Sequence, residues 1–207
     1  MLGLTKSELV VLKKLAPPQK IQDWLDKMPL NWEKTGETYM SPRRVLRTNK
    51  AHCLEGALLA GVALWLQGEK PLLLDLKTIE GDDHVVALFK QGGCWGAISK
   101  TNHASLRWRD PVYKTVRELA ISYFHEYYSA KNGHRILRSY SEPFNLKKLG
   151  TNWVTMEEEL DYIAETIDKS PHHRLFSAKN TRLLHQPHPL ELQADELIEW
   201  SKEDPRT

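Results

Sequence analysis

The composition of this 207-residue chain is that of a folded protein with a sizeable core. Hydrophobic residues make up 41% of the chain and charged residues 27%, which excludes wholesale disorder. The formal net charge is only +2, and this weak charge argues against a nucleic-acid or membrane-surface partner. The two cysteines are too few for a disulfide framework, so we expect a reducing, cytoplasmic compartment.

The sequence predicts neither a secretory leader nor a membrane span. Charged residues interrupt the opening segment MLGLTKSELVVLKKL, which is not typical of a signal peptide. The longest apolar stretch, Ala57 to Leu66, has about 10 residues, too few to cross a bilayer.

Helical signals begin the chain. We predict two short helices before residue 30, the first capped by Thr5 or Ser7 and the second with Pro18 in its first turn. The pair Ser41-Pro42 is typical of a cap followed by a first-turn proline, and it predicts a short turn through Leu46.

The strongest helix prediction covers the region between Ala51 and Gly68. Apolar residues recur there at helical spacing, and alanines fill most of the remaining positions. The residues of the pattern are Leu54, Ala57, Leu58, Ala60, Gly61, Val62, Ala63 and Trp65. A helix that is apolar all round is expected at the centre of the core, and Gly68 is expected to end it.

Three strands are predicted after this central helix. They cover residues 70–79, 84–89 and 94–99, and turn signals separate them at residues 81–83 and 91–93. A helix followed by an antiparallel meander indicates an α+β fold, because α/β folds alternate helices with parallel strands.

One long helix and one further strand are predicted beyond residue 100. Asp110-Pro111 begins the helix, which we expect to reach Tyr128 and to pack on the sheet. Residues 135–146 are predicted to add an edge strand, with Pro143 marking the edge.

The chain changes character near residue 150. Thr155 and Glu158 fit the capping box of a polar helix. Residues 170–189 are rich in histidine and proline and are expected to be irregular, and a last helix is predicted from Pro189 to Trp200. We expect these final residues to form a helical appendage packed on the core.

Cys53 is the candidate nucleophile. It lies in the predicted first turn of the central helix, where unpaired backbone N–H groups and the positive end of the helix dipole favour thiolate over thiol. The Cys53 N–H is also placed to donate to an oxyanion. A nearby base is still required to accept and return the proton.

His84 is the candidate base. It begins a strand 31 positions after Cys53, and this interval holds the central helix, one strand and two turns. A helix and strand of these lengths can return the chain to its starting end, so the thiol and the imidazole are expected to face one cleft.

Four segments around these residues resemble the core of transglutaminase-like proteins, which share the papain-like thiol fold. The segments are NKAHCLEGALLAG (49–61), PLLLDL (71–76), DDHVVALF (82–89) and WGAISKTNH (95–103). The resemblance covers residues 40–130 and implies an α+β fold, with a central helix packed on an antiparallel sheet. It also implies that Cys53 and His84 are catalytic. With it we assign residues 1–150 to a transglutaminase-like thiol domain and 151–207 to the helical appendage.

The third site residue departs from the family pattern. An aspartate is expected near the end of the third strand, but the sequence has Ser99, Lys100, Thr101 and Asn102 there. A four-residue turn places Ser99 opposite His84, whereas a two-residue turn places Thr101 opposite it, with Asn102 one step beyond. Asn102 is our first choice because an amide oxygen accepts from an imidazole N–H.

Ser99 is the second choice for that role and Asp75, on the neighbouring strand, is the third. Without a carboxylate beside the histidine, an imidazolium is less stabilised. The activity of the site therefore stays open at this point.

The remaining reactive residues have simpler interpretations. Cys94 adjoins a Gly-Gly turn and is expected to be structural, and a Cys53–Cys94 disulfide is not expected in a reducing compartment. His52 adjoins Cys53 but does not face the same way on a helix, so we expect it to shape the cleft.

We predict no substrate-binding site at the arginines of the Ser41-Pro42 segment and no metal site at the late histidines. Arg43, Arg44 and Arg47 are expected to form a solvated helix face rather than a substrate site. The late histidines lack the helical frame and the cysteines of a metal site. They are His172, His173, His185 and His188. We predict no metal and no cofactor.

The predicted function is cysteine-dependent hydrolysis or acyl transfer at a peptide or other amide bond, through a Cys53 thioester with His84 as general base. The alternative is a transglutaminase-like fold that has lost activity and binds a peptide or protein partner. An acyltransferase on an unrelated fold is disfavoured, since no glycine-rich phosphate loop is present. The sequence does not define the substrate or the oligomeric state.

Overall fold

The computed structural model describes residues 2–33, 36–129 and 131–199. Within these ranges the chain is α+β, as predicted, and it is built around one antiparallel sheet. No helix in the described ranges is long and apolar enough to cross a membrane.

The helices are mostly short, and α4 is the longest of those described. The helices are α1 (Lys6–Lys13), α2 (Pro18–Lys27), α3 (Pro42–Thr48), α4 (Cys53–Leu66), α5 (Val116–Ser122), α6 (Asp161–Asp168), α7 (Ala178–Thr181) and α8 (Pro189–Asp195). The sequence signals for the starts of the first three helices are confirmed. Thr5 caps α1, Ser41 caps α3, and Pro18 is the first residue of α2.

The sheet has seven strands in the order β4-β3-β2-β1-β5-β7, with β6 also paired to β1. The strands are β1 (Leu72–Thr78), β2 (His84–Gln91), β3 (Cys94–Ile98), β4 (Arg109–Tyr113), β5 (Leu137–Ser141), β6 (Phe144–Asn145) and β7 (His172–Arg174). Gln91 pairs with Cys94 across a two-residue turn. Both turn residues, Gly92 and Gly93, have positive φ angles of 58° and 79°, which glycine adopts without strain.

The core forms two layers, one on each face of the sheet. On one face α4 packs against Leu73, Ala87, Phe89 and Ile98. Every residue of α4 from Leu54 to Leu64 is buried, which explains why its sequence has no polar face. On the other face Leu74, Leu76, Val86, Leu88 and Ala97 pack against α5 and the tyrosines that follow it.

The long helix predicted from Asp110 to Tyr128 is wrong. Residues 109–113 form β4, which pairs with β3 at the outside of the sheet, and only residues 116–122 are α-helical. The side chains of β4 alternate between half-buried and exposed. Pro111 lacks an N–H but is tolerated because an edge strand leaves one side of the ladder unpaired.

The predicted strand over residues 135–146 lies inside the sheet rather than at its edge. β5 pairs with β1 on one side and with β7 on the other. β7 itself falls in the segment expected to be irregular. Its three residues, His172–Arg174, satisfy the β5 edge, which their polar sequence did not indicate.

Residues beyond 150 contribute to the same core as α4. Trp153 and Val154 are fully buried there, and Leu160 and Ile163 join them from the start of α6. The division at residue 150 stays a prediction, but this packing shows no gap between the two parts. The last helix begins at Pro189 as predicted and ends at Asp195, and Trp200 lies outside the described residues.

Candidate active site

Cys53 is the first residue of α4. The chain before it is fixed because the Ala51 N–H donates to the Pro29 carbonyl and the Asn31 N–H donates to the Ala51 carbonyl. The Cys53 side chain is half-buried and is a free thiol, as is that of buried Cys94. Among the described residues no acceptor binds the Cys53 N–H, so this donor remains available at the helix start.

A buried carboxylate organises the helix start. Glu55 is 0% exposed and accepts from the backbone N–H groups of His52 at 3.0 Å and Met40 at 2.9 Å. The amide of Asn31 and the hydroxyl of Thr38 donate to it at 3.1 Å each. The Glu55 side chain thus ties two loops to α4, and four donors offset the cost of burying its two oxygens.

His84 lies at the start of β2, where its ring is held by a serine. The Nε2 atom is 2.7 Å from Ser99 Oγ, and the Ser99 hydroxyl donates to the Leu106 carbonyl at 2.6 Å. Because the Ser99 hydroxyl donates its proton to the Leu106 carbonyl, Ser99 Oγ must accept the hydrogen bond from the Nε2–H of His84. The neutral ring therefore keeps its lone pair on Nδ1, free to accept a proton.

The strand register explains why Ser99 reaches His84. The pairs run from Gln91–Cys94 to Ala87–Ile98, and continuing this register places Thr101 directly opposite His84. Ser99 lies two residues before Thr101 and so points to the same face of the sheet. It is a diagonal neighbour, within reach of a side chain as long as histidine.

Ser99 is itself fixed by α2. The Gln22 amide accepts from the Ser99 N–H at 2.9 Å and donates to the Ser99 carbonyl at 2.8 Å. Beside it, buried Lys100 donates through Nζ to the Leu25 carbonyl at 2.9 Å. Gly56 makes room for this lysine, because a Cβ at Gly56 would lie 2.5 Å from Lys100 Cβ.

The thiol of Cys53 is activated by two imidazoles. Burial raises the pKa of this thiol, but hydrogen bonding and positive charge from His52 and His84 outweigh burial and lower the pKa to about 5. The His52 Nδ1 atom is 3.9 Å from the sulfur. The thiolate is therefore the main form of Cys53 at neutral pH.

His52 caps the helix rather than facing the cleft as a base. Its Nδ1 accepts from the Leu54 N–H at 3.3 Å, and its Nε2 donates to the Thr38 carbonyl at 2.7 Å. Burial lowers the pKa of His52, but the Cys53 thiolate and Glu55 raise it to about 9 overall. The two roles of Nδ1 exclude each other: in the neutral ring Nδ1 accepts from the Leu54 N–H, and in the protonated ring it gives up that bond and carries a proton that can be donated to the Cys53 sulfur.

The structure separates Asn102 and Asp75 from the imidazole of His84. Asn102 lines the same cavity, but in the described residues its side chain makes no hydrogen bond to His84. Asp75 pairs with Val85, while Leu76 pairs with His84, so Asp75 points to the opposite face of the sheet. It lies 3.0 Å from His172 Nε2 instead.

Cys53 and His84 open into one cavity of about 820 Å³. Its walls include Trp32, Asn102 and Tyr127, together with residues of α8 and the segment after it. A cavity of this size lies within the range of ordinary ligand pockets.

The other candidate groups are occupied by structural partners. The arginines of α3 form salt bridges, Arg43 with Glu8, Arg44 with Glu159 and Arg47 with Glu157. Of the late histidines, His172 contacts Asp75, His173 contacts Glu142 and His188 caps α8.

Sequence reasoning missed two supporting residues, Glu55 and Gln22. Glu55 carried a signal, because it is the single charged residue within the apolar stretch of α4 and stands three positions after His52. Gln22 carried none, since its partner Ser99 lies 77 positions away in the chain.

No protein-family model matches this chain, and no curated protein is significantly similar to it in sequence. Membership of the transglutaminase-like group therefore stays a prediction, and the argument for function rests on the geometry of Cys53, His84 and Ser99.

Proposed function

We propose that the protein is a cysteine-dependent amide hydrolase with a papain-like or transglutaminase-like core. The observation that supports this most is the arrangement around Cys53. A thiol with a lowered pKa begins a buried helix, and beside it His84 is oriented by Ser99, which accepts its Nε2–H and leaves Nδ1 as the site that takes up the thiol proton. These are the parts that acyl transfer through a thioester requires.

Acylation begins with attack of the Cys53 thiolate on the carbonyl carbon of an amide. The Cys53 N–H donates to the oxyanion that forms. His84, which holds the proton from the thiol, delivers it to the leaving nitrogen. The C–N bond breaks, the amine departs, and a thioester remains on the sulfur.

Deacylation reverses these roles. His84 removes a proton from a water molecule, and the resulting hydroxide attacks the thioester carbon. The C–S bond breaks, a carboxylic acid is released, and the proton returns to the thiolate–imidazole pair. Water is the acceptor in this scheme, and an amine in its place would give a new amide.

A second candidate function is a peptide-binding module without turnover. It is favoured by the neutral hydroxyl of Ser99, since a hydroxyl stabilises an imidazolium less than a carboxylate does. This alternative predicts that Cys53→Ala retains peptide binding and that no amidase activity is lost.

The rate of Cys53 alkylation by iodoacetamide against pH tests the activated thiol. With the pKa lowered to about 5, the thiolate fraction is close to one at pH 8 and about nine-tenths at pH 6. The alkylation rate should therefore change little between these two pH values and reach half its plateau near pH 5. Cys94, quantified in the same digest by mass spectrometry, serves as the internal control.

A Cys53 rate that rises steeply between pH 7 and pH 9, in step with an ordinary thiol, would reject the proposal. An amidase activity that disappears in Cys53→Ala and in His84→Ala, with both variants folded, would reject the binding-module alternative.

A further inference from the structure

The C-terminal segment of the chain pairs with the loop that follows β3. We call residues 189–199 the C-terminal strap. The Glu199 N–H donates to the Asn102 carbonyl at 2.8 Å, and the Ala104 N–H donates to the Leu197 carbonyl at 3.0 Å. His103 and Ile198 lie opposite each other as an antiparallel pair. The strap thus adds one short strand to residues 102–104.

Side-chain contacts hold the strap at both ends. Glu199 lies 3.3 Å from Arg107, and Glu191 lies 2.7 Å from Arg135. Between them the Leu192 side chain packs over Gly133, where an added Cβ would approach Leu192 Cδ1 to 2.9 Å. These are two ion pairs whose glutamates are exposed and one apolar contact, so the strap is held weakly compared with the core.

The strap lies over the candidate site. Residues 102–104 follow Ser99, the residue that orients His84. Leu192, Asp195, Glu196 and Ile198 line the same cavity as Cys53 and His84. A strand bound to residues 102–104 therefore borders the cavity into which the Cys53 thiol opens.

We propose that residues 102–104 are the peptide-binding edge of the site and that Leu197–Glu199 occupies this edge in cis. The inference rests on the proposed function and adds the class of substrate, an extended peptide bound through its main chain. The Asn102 carbonyl and the Ala104 N–H are the groups that an extended peptide would use, as in strand addition to a sheet edge.

The strap is then a competitor that a substrate must displace. Because the apparent affinity for a ligand falls by the fraction of molecules whose site is open, loosening the strap raises the affinity for a peptide. A reagent small enough to enter the cavity beside the strap does not experience this competition.

The test compares labelling of Cys53 by a tetrapeptide chloromethyl ketone and by iodoacetamide, in the full-length chain. Glu199→Pro removes the N–H that binds Asn102 and the ion pair with Arg107. Leu192→Asp removes the apolar contact without touching the paired backbone. The matched control is Leu190→Asp, on the same helix but 66% exposed.

We expect Glu199→Pro and Leu192→Asp to raise the rate of Cys53 labelling by the peptide reagent about tenfold, because the strap leaves the site open in a larger fraction of molecules. The rate of labelling by iodoacetamide should stay within about twofold of that of the parent protein. Leu190→Asp should change neither rate. A synthetic peptide with the sequence of residues 193–199, added to Glu199→Pro, should slow the peptide reagent again.

Unchanged or slower labelling by the peptide reagent in both strap variants would overturn the inference. Slow labelling by iodoacetamide at neutral pH in every variant would instead reject the activated thiol. The two failures are therefore distinguishable in one set of measurements.

Discussion

At the scale of single residues, the chemistry of the site depends on which atom holds each proton. Ser99 donates to the Leu106 carbonyl and accepts from His84, so the hydroxyl fixes the tautomer of the imidazole. A carboxylate at this place would add a negative charge, whereas a hydroxyl supplies orientation alone. The loss of one neutral hydrogen bond is therefore the effect to expect when Ser99 is removed.

Ser99→Ala should lower kcat/KM for an amide substrate by about tenfold, the equivalent of one neutral hydrogen bond. It should also raise the pH at which Cys53 alkylation reaches half its plateau, because the imidazolium that supports the thiolate loses its acceptor. The matched control is Ser139→Ala, a half-buried serine of β5. An unshifted alkylation profile in Ser99→Ala would show that Ser99 does not orient His84.

At the scale of elements, the start of α4 brings the site together. His52 caps the helix, and Glu55 in its first turn collects donors from the loops around residues 31 and 40. A buried carboxylate surrounded by donors stabilises an element strongly only while all its partners are present. The helix start is thus a polar assembly inside an otherwise apolar layer.

Glu55→Ala should lower the free energy of unfolding by about 2–4 kcal/mol, because two backbone N–H groups and the Asn31 amide lose their acceptor. Urea denaturation followed by tryptophan fluorescence measures the change. Glu69→Ala, at an exposed position just after α4, should stay within about 0.5 kcal/mol of the parent protein. A similar, small loss in both variants would contradict the organising role of Glu55.

At the scale of the whole molecule, the sheet separates Asp75 from His84, because the two side chains point to opposite faces. Asp75 is 3% exposed and points away from His84, towards His172. Burial raises the pKa of Asp75 to about 6, and the hydrogen bond with His172 opposes this only in part. A carboxyl with a raised folded-state pKa favours the folded protein when it is protonated.

Stability should therefore fall as pH rises from about 4 to 6, because the folded state binds the Asp75 proton more tightly than the unfolded state. Asp75→Asn removes this dependence. The free energy of unfolding of the variant minus that of the parent should therefore increase between pH 4 and pH 7, by up to about 3 kcal/mol. Asp23→Asn, at an exposed position of α2, is the control. A constant difference across this range would contradict the raised pKa.

Local patterns in the sequence predicted the elements that form the site. Apolar residues on every face of α4 required a buried helix, and the start of that pattern near Ala51 placed Cys53 in the first turn. Gly92-Gly93 suited a two-residue turn, and the meander returned His84 to the same end of the molecule. These features depend on residues close together in the chain, so their spacing alone carries the information.

The tertiary structure decided what depends on distant partners. The position of Ser99 against His84 follows from the strand register, and Gln22 fixes it from 77 positions away. Pro111 lies in a strand because an edge was available beside β3. The strap covers the cavity because its backbone pairs with residues 102–104. Each of these contacts joins groups that are far apart in the sequence. Whether such a contact forms depends on both partners together, so neither segment alone predicts it.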